Sequence, residues 1–214
     1  MKFIASLVAL ASAALAVVAS PVDLTERSGV TAPAGFNITS IGVNGSGCPA
    51  GTAYYVLSSD RTSVTVTFSN FYALAGPDVK ISENRKSCQL SLGVRVPGGF
   101  AFGVATVDYR GYYQLDNKVT ATQQAVYYFQ GQLQQATARS TLKGPVAGNT
   151  YTYRDQFDLY STTLSPCGAN SVLNVNSALQ VSNSANRQGS GYIATDSIDA
   201  SLVQTFGFSW YTCK

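Results

Sequence analysis

Apolar and polar residues alternate along most of the chain, most clearly over residues 86–107. Cys88, Leu90, Leu92, Val94 and Val96 recur at period two, with Gln89, Ser91, Gly93 and Arg95 between them. That is the pattern of a half-buried antiparallel strand. Pro97, Gly98 and Gly99 supply the fixed and positive backbone angles of a reversal, and Phe100, Phe102 and Val104 resume the alternation. The stretch predicts a hairpin that serves as scaffold.

Similar runs fill the rest. Residues 52–57 and 62–68 are β-branched and aromatic, and Ser58, Ser59 and Asp60 turn between them. Residues 75–78 make a loop, and residues 108–116 extend the second strand of the hairpin with aromatic and charged side chains. Val119, Ala121, Gln123, Ala125, Tyr127 and Phe129 alternate in turn. A short strand over 136–142 is followed by a loop to Asn149, then by an aromatic run over 151–160. Leu173, Val175, Leu179 and Val181 mark the next strand, and Ile198, Leu202, Phe206, Phe208 and Trp210 the last. Residues 130–135, QGQLQQ, suit the start of a helical turn but lack a good cap. About ten short strands with turn residues between them predict an all-β fold, a two-layered antiparallel β-sandwich or jelly roll.

The chain opens differently. Lys2 precedes an apolar run from Phe3 to Val18 and then small residues, so residues 1–19 read as a secretory signal peptide cleaved after Ala19. A membrane span is the alternative, but the run is slightly short and no basic stop-transfer cluster follows it. Residues 20–35, with Pro21 and Pro33, read as a flexible leader or pro-segment, and residues 36–214 as one secreted, extracellular domain.

Composition supports a folded exported protein. The hydrophobic share of 45%, with thirteen Tyr and ten Phe, is enough for a substantial core, although only 12% of residues are charged. The net charge of +3 is spread thinly, with Arg85-Lys86 the longest basic run, so nucleic acid is not an expected partner.

Four cysteines in an exported chain imply two disulfides. Three pairings are possible. Cys48–Cys88 with Cys167–Cys213 divides the domain into halves without crossing loops and is the preferred one. Asn37-Ile38-Thr39 and Asn44-Gly45-Ser46 are N-glycosylation acceptors just before Cys48.

The chain has no histidine, which removes Ser-His-Asp and Cys-His nucleophiles and imidazole metal sites. No phosphate loop or dinucleotide fingerprint is present, and no cofactor or metal site is expected. Asp78 with Glu83, or Asp196 with Asp199, lack specific calcium-ligand spacing. What remains for catalysis is Asp108 with Asp155 or Asp158 as a carboxylate pair for glycoside hydrolysis. Arg110 with Tyr109, Tyr112 or Tyr113 is a second route, by proton transfer from tyrosine in a lyase. The neighbouring pairs Tyr112-Tyr113 and Tyr127-Tyr128 suit ligand binding, because one of each pair in a strand must face outward.

The GSGCPAGTA segment around Cys48, NRKSCQLSLGV around Cys88 and the terminal WYTC follow a signal peptide. Together these resemble a family of small secreted proteins of filamentous fungi, with bacterial relatives, catalogued as domain of unknown function 4360. The resemblance implies an exported, disulfide-bonded β-domain and brings no activity or catalytic residue with it. The reading favoured by the residues is a non-enzymatic protein of the cell surface, matrix or host interface that binds extracellular glycan or protein. A carbohydrate-active hydrolase or lyase is the alternative.

Overall fold

A computed structural model describes residues 32–156, 163–195 and 202–213. The expected signal peptide, all of the leader before Ala32, and Asp158, Asp196 and Asp199 lie outside these residues.

Among the described residues twelve strands form: β1 (Asn37–Asn44), β2 (Ala53–Leu57), β3 (Ser63–Phe68), β4 (Tyr72–Ala75), β5 (Arg85–Arg95) and β6 (Phe100–Leu115). They continue as β7 (Thr120–Phe129), β8 (Gln135–Lys143), β9 (Val146–Gln156), β10 (Ser171–Ser182), β11 (Gly191–Ala194) and β12 (Leu202–Thr212). One short 3-10 turn spans Ile81–Glu83. The strands build two antiparallel sheets, as the period-two pattern predicts. One has five strands in the order β1-β5-β10-β7-β8. The other has seven, running β2-β3-β12-β6-β11-β4, with β9 also paired to β6.

Register shows how the larger sheet is arranged. Residues 106–109 of β6 pair with both β12 and β9, and residues 112–115 lie between β11 and β9. The strands β12 and β11 therefore succeed one another along one side of β6, while β9 runs along the other. On the far side of these two, β3 pairs with β12 and β4 with β11.

The core fills the gap between the sheets. Leu90, Leu92 and Val94 of β5 and Leu173, Val175 and Leu179 of β10 face Val64, Val66 and Phe68 of β3 and Phe206 of β12, all buried. At one end Phe102 is the hub of an aromatic cluster, with Phe36 at 5.4 Å, Phe208 at 5.0 Å, Phe129 at 6.0 Å and Trp210 at 6.3 Å between ring centroids. Most of these contacts are edge-on or tilted, as ring quadrupoles favour.

Residues 86–107 do not form a hairpin. The strand β5 lies in the five-stranded sheet and β6 in the seven-stranded one, so Pro97-Gly98-Gly99 is an arch between layers. Both strands carry one apolar face, and folding the chain over the edge of the sandwich apposes those faces instead of laying them side by side. Gly99 takes a positive φ of 81° in this arch, and its carbonyl accepts the N–H of Cys213 at 2.8 Å. Cys213 is bonded to Cys167, and Cys48 to Cys88, which ties the segment after β1 to β5.

Two further differences come from local backbone. The expected loop to Asn149 is short, and β9 begins at Val146, directly after Gly144-Pro145. The QGQLQQ segment is a turn from β7 to β8, closed by Gln132 N–H donating to the Phe129 carbonyl at 3.1 Å.

Candidate functional site

A register shift in β6 decides which side chains reach the outer face of the larger sheet. Pairing with β12 skips Ala105, so the inward residues change from Phe102 and Val104 to Val107 and Tyr109. Asp108, Arg110 and Tyr112 consequently alternate outward.

Thr65, Thr205, Asp108 and Arg154 form one row across β3, β12, β6 and β9. The hydroxyls of Thr65 and Thr205 lie 3.2 Å apart. Arg154 Nε donates to Asp108 Oδ1 at 2.5 Å and Nη2 to Oδ2 at 2.7 Å, a bidentate pair. The Arg154 guanidinium holds the Asp108 carboxyl below the usual carboxylate range, against the opposing effect of partial burial.

Farther along the same face, Tyr72, Ala194 and Tyr112 share a row, and Leu74, Tyr192 and Gln114 share the next. The Tyr72 and Tyr192 rings are stacked, with centroids 6.0 Å apart and planes at 27°. Tyr112 adds a tilted contact to Tyr192 at 6.3 Å. Ala194 between them is fully buried, whereas the three tyrosines are half-buried. Tyr112 depends on Gly148, since a Cβ there would fall 2.2 Å from the Tyr112 hydroxyl oxygen. The platform adjoins a pocket of about 240 Å³ lined by Leu74, Val79, Gln114, Asp116, Ser190 and Tyr192 among others. One Asp116 oxygen, Oδ2, accepts the Ser190 N–H at 2.8 Å. The exposed carboxylate and the Gln114 amide thus give the pocket a polar rim beside aromatic faces.

The structure scatters most of the residues singled out in the sequence. Tyr109 is buried and hydrogen-bonded to the buried Tyr127, while Arg110 is exposed on the opposite side of the sheet. Tyr109 and Arg110 are therefore not brought together as a proton-transfer pair, and Tyr127 is a core residue. Tyr113 faces inward against Tyr151 at 6.1 Å, and Tyr128 lies half-buried on the outside of the other sheet. Of the four binding tyrosines, Tyr112 alone joins the platform. Asp155 pairs through its backbone with Val107; its side chain, like Asp158, is outside what the structure describes. Asn37 and Asn44 are both exposed on β1. Among the described residues no group of three or more His, Cys, Asp or Glu could hold a metal ion.

The sequence pattern does not single out Tyr72 and Tyr192, because β4 and β11 are only four residues long. The usable signal was alternation with small residues, in Tyr72-Ala73-Leu74-Ala75 and in Gly191-Tyr192-Ile193-Ala194.

Among solved structures, TmCBM61 in complex with beta-1,4-galactotriose is similar at 10% identity, covering 82% of this chain and 90% of that one. Its TM-score of 0.24 leaves fold and function to be read from this chain itself. An uncharacterized secreted protein of Arthroderma benhamiae is 41% identical over 190 residues, 88% of this chain and 77% of that protein. This chain is a secreted protein, and no helix among the described residues is long and apolar enough to cross a membrane. Residues 34–213 match the family described as Domain of unknown function (DUF4360), and the chain belongs to that family.

Proposed function

We propose that this secreted protein binds glycan without cleaving it, through the tyrosine platform on the outer face of the seven-stranded sheet. The observation that carries this reading is the contact of Tyr72, Tyr192 and Tyr112 beside a pocket rimmed by Gln114 and Asp116. A sugar ring presents an apolar C–H face, which packs on an aromatic ring, and a rim of hydroxyls, which need amide and carboxylate partners. Side chains on paired strands are already held in place, so little ordering entropy opposes binding. The pocket is smaller than the roughly 300–1,000 Å³ of sites that enclose a drug-sized ligand. It suits one sugar residue, with the rest of a glycan extending over the tyrosines.

Asp108 does not favour the enzymatic alternative. A glycosidase acid needs a raised pKa, and the Arg154 ion pair shifts Asp108 the other way. A glycan-array screen of the secreted protein, with reducing-sugar release followed in parallel, tests the proposal. Binding that is weakened about tenfold in Tyr192→Ala, without sugar release, is expected. Absence of binding to every glycan would sink it, and bond cleavage would overturn its non-catalytic part.

A further inference from the structure

We infer that Asn37 and Asn44 both carry N-linked glycans, and that these lie over the outer face of the five-stranded sheet and the free edge of β1. The tyrosine platform, on the outer face of the other sheet, is left uncovered.

The two acceptors are seven residues apart in one strand. In a regular strand an odd separation places two side chains on opposite faces. One of these asparagines would then point into the sandwich. The register of β1 on β5 removes that conflict: it shifts between Ile38 and Ser40, making Thr39 the extra residue of a bulge. Ile38, Ile41 and Val43 stand opposite Val94, Leu92 and Leu90 and pack against the core. Asn37 stands opposite Arg95 and Asn44 opposite Gln89, and both are exposed. The bulge thus brings both acceptors to the same solvent face, roughly 20 Å apart at the rise of a strand.

The position on β1 gives the modification a physical consequence. This strand ends the five-stranded sheet, so among the described residues one of its backbone edges has no strand partner. Exposed edges invite pairing between molecules unless charge or bulk blocks them. At the opposite edge of that sheet, β8 carries Arg139 and Lys143. No charged residue occurs in β1, NITSIGVN, and a bulky solubilising glycan near each end supplies the block instead.

The modification needs a lipid pyrophosphate-linked oligosaccharide, the donor class of the eukaryotic secretory route. The asparagine Nδ2 forms a bond to the anomeric carbon, and the bond from that carbon to the pyrophosphate oxygen breaks. The pyrophosphate leaves with the electron pair, and the amide proton passes to a base of the transferase.

The test is to express the full chain in a eukaryotic secretory host and measure intact mass before and after peptide N-glycosidase. Asn37→Gln and Asn44→Gln should each remove one glycan and the double variant all of them, with Asp replacing Asn at both positions in the enzymatically released protein. An unmodified asparagine at either position overturns the inference. An endoglycosidase that cuts within the chitobiose core acts after folding and leaves one small uncharged N-acetylglucosamine on each asparagine, so sedimentation of wild-type protein trimmed in that way separates edge protection from folding defects without placing charge on the edge. A rise in self-association at equal concentration is expected, and an unchanged monodisperse species overturns the edge-capping role. Occupancy is read without reference to any ligand, so this result stands apart from the glycan-binding test.

Discussion

Tyr109 of β6 and Tyr127 of β7 join hydroxyl to hydroxyl in the core, linking the two sheets of the sandwich. Close by in register, Ser177 Oγ donates to Gln204 Oε1 at 3.2 Å between the same layers. A buried hydroxyl retains its favourable free energy only while hydrogen-bonded, so these residues fix the apposition of the sheets as well as filling volume. Replacing either tyrosine by Phe should lower unfolding free energy by about 1–3 kcal/mol, because the partner loses this bond inside the core. The double variant should cost less than the sum of the two. Urea denaturation of the four proteins in the cycle measures the coupling, and strict additivity would show that the link contributes nothing.

That pair also shows where reading the chain succeeds and where it stops. Alternation in β3, β5 and β7 is regular, so the inward faces of Val64 to Phe68, Cys88 to Val94 and Ala121 to Phe129 were legible. Tyr109 faces inward only because the register shift at Ala105 changes the parity of β6, and nothing in Val104-Ala105-Thr106 announces a bulge. The bulge at Thr39 is equally silent in NITSIGVN. Pro97-Gly98-Gly99 carries the same turn chemistry whether it closes a hairpin or arches between sheets, so partner choice there is decided by distant strands. The tyrosine platform joins β4, β11 and β6, which are far apart in sequence, and only the cross-strand register assembles it.

Tyr192 touches both of the other platform rings, so its removal should harm binding most. Tyr192→Ala should weaken glycan affinity by about tenfold, equivalent to roughly 1.4 kcal/mol. Tyr128→Ala, on the other sheet, should leave affinity unchanged. Isothermal titration with a glycan identified on the array reads both. Equal losses would place the binding surface elsewhere.

Gly148 has a φ of 138° and sits against the Tyr112 hydroxyl. Gly148→Ala combines backbone strain with a steric clash, and a destabilisation on the order of 1–3 kcal/mol is expected. The expected signature is a lower melting temperature together with weaker glycan binding, since Tyr112 must move. Unchanged binding in folded Gly148→Ala would mean that the seating of Tyr112 is unimportant to the site.

The Asp108–Arg154 pair is partly exposed, so solvent screening keeps its net contribution to stability small. Asp108→Asn should therefore change the denaturation midpoint only slightly and reduce its salt dependence. The folded carboxyl pKa is lowered, so the contribution is present above the unfolded value of about 4 and disappears as pH falls through the folded value. A large loss of stability in Asp108→Asn at neutral pH and high salt would contradict a surface role.

Asp60 closes the loop between β2 and β3, accepting Ser58 Oγ at 2.6 Å, Thr62 N–H at 3.0 Å and Thr62 Oγ1 at 2.8 Å. These bonds, with the Ser58 hydroxyl foremost, favour the ionised form and lower the carboxyl pKa to about 2. A depressed folded pKa makes the loop's contribution complete above the unfolded value of about 4 and removes it as pH falls toward the folded one. Carboxyl-carbon NMR shifts should give an Asp60 midpoint near 2, with the Thr62 amide resonance moving in step. Asp60→Asn should abolish that amide transition. An Asp60 midpoint at the ordinary value, or a Thr62 amide that titrates independently of it, would show that the three bonds do not hold the loop in solution.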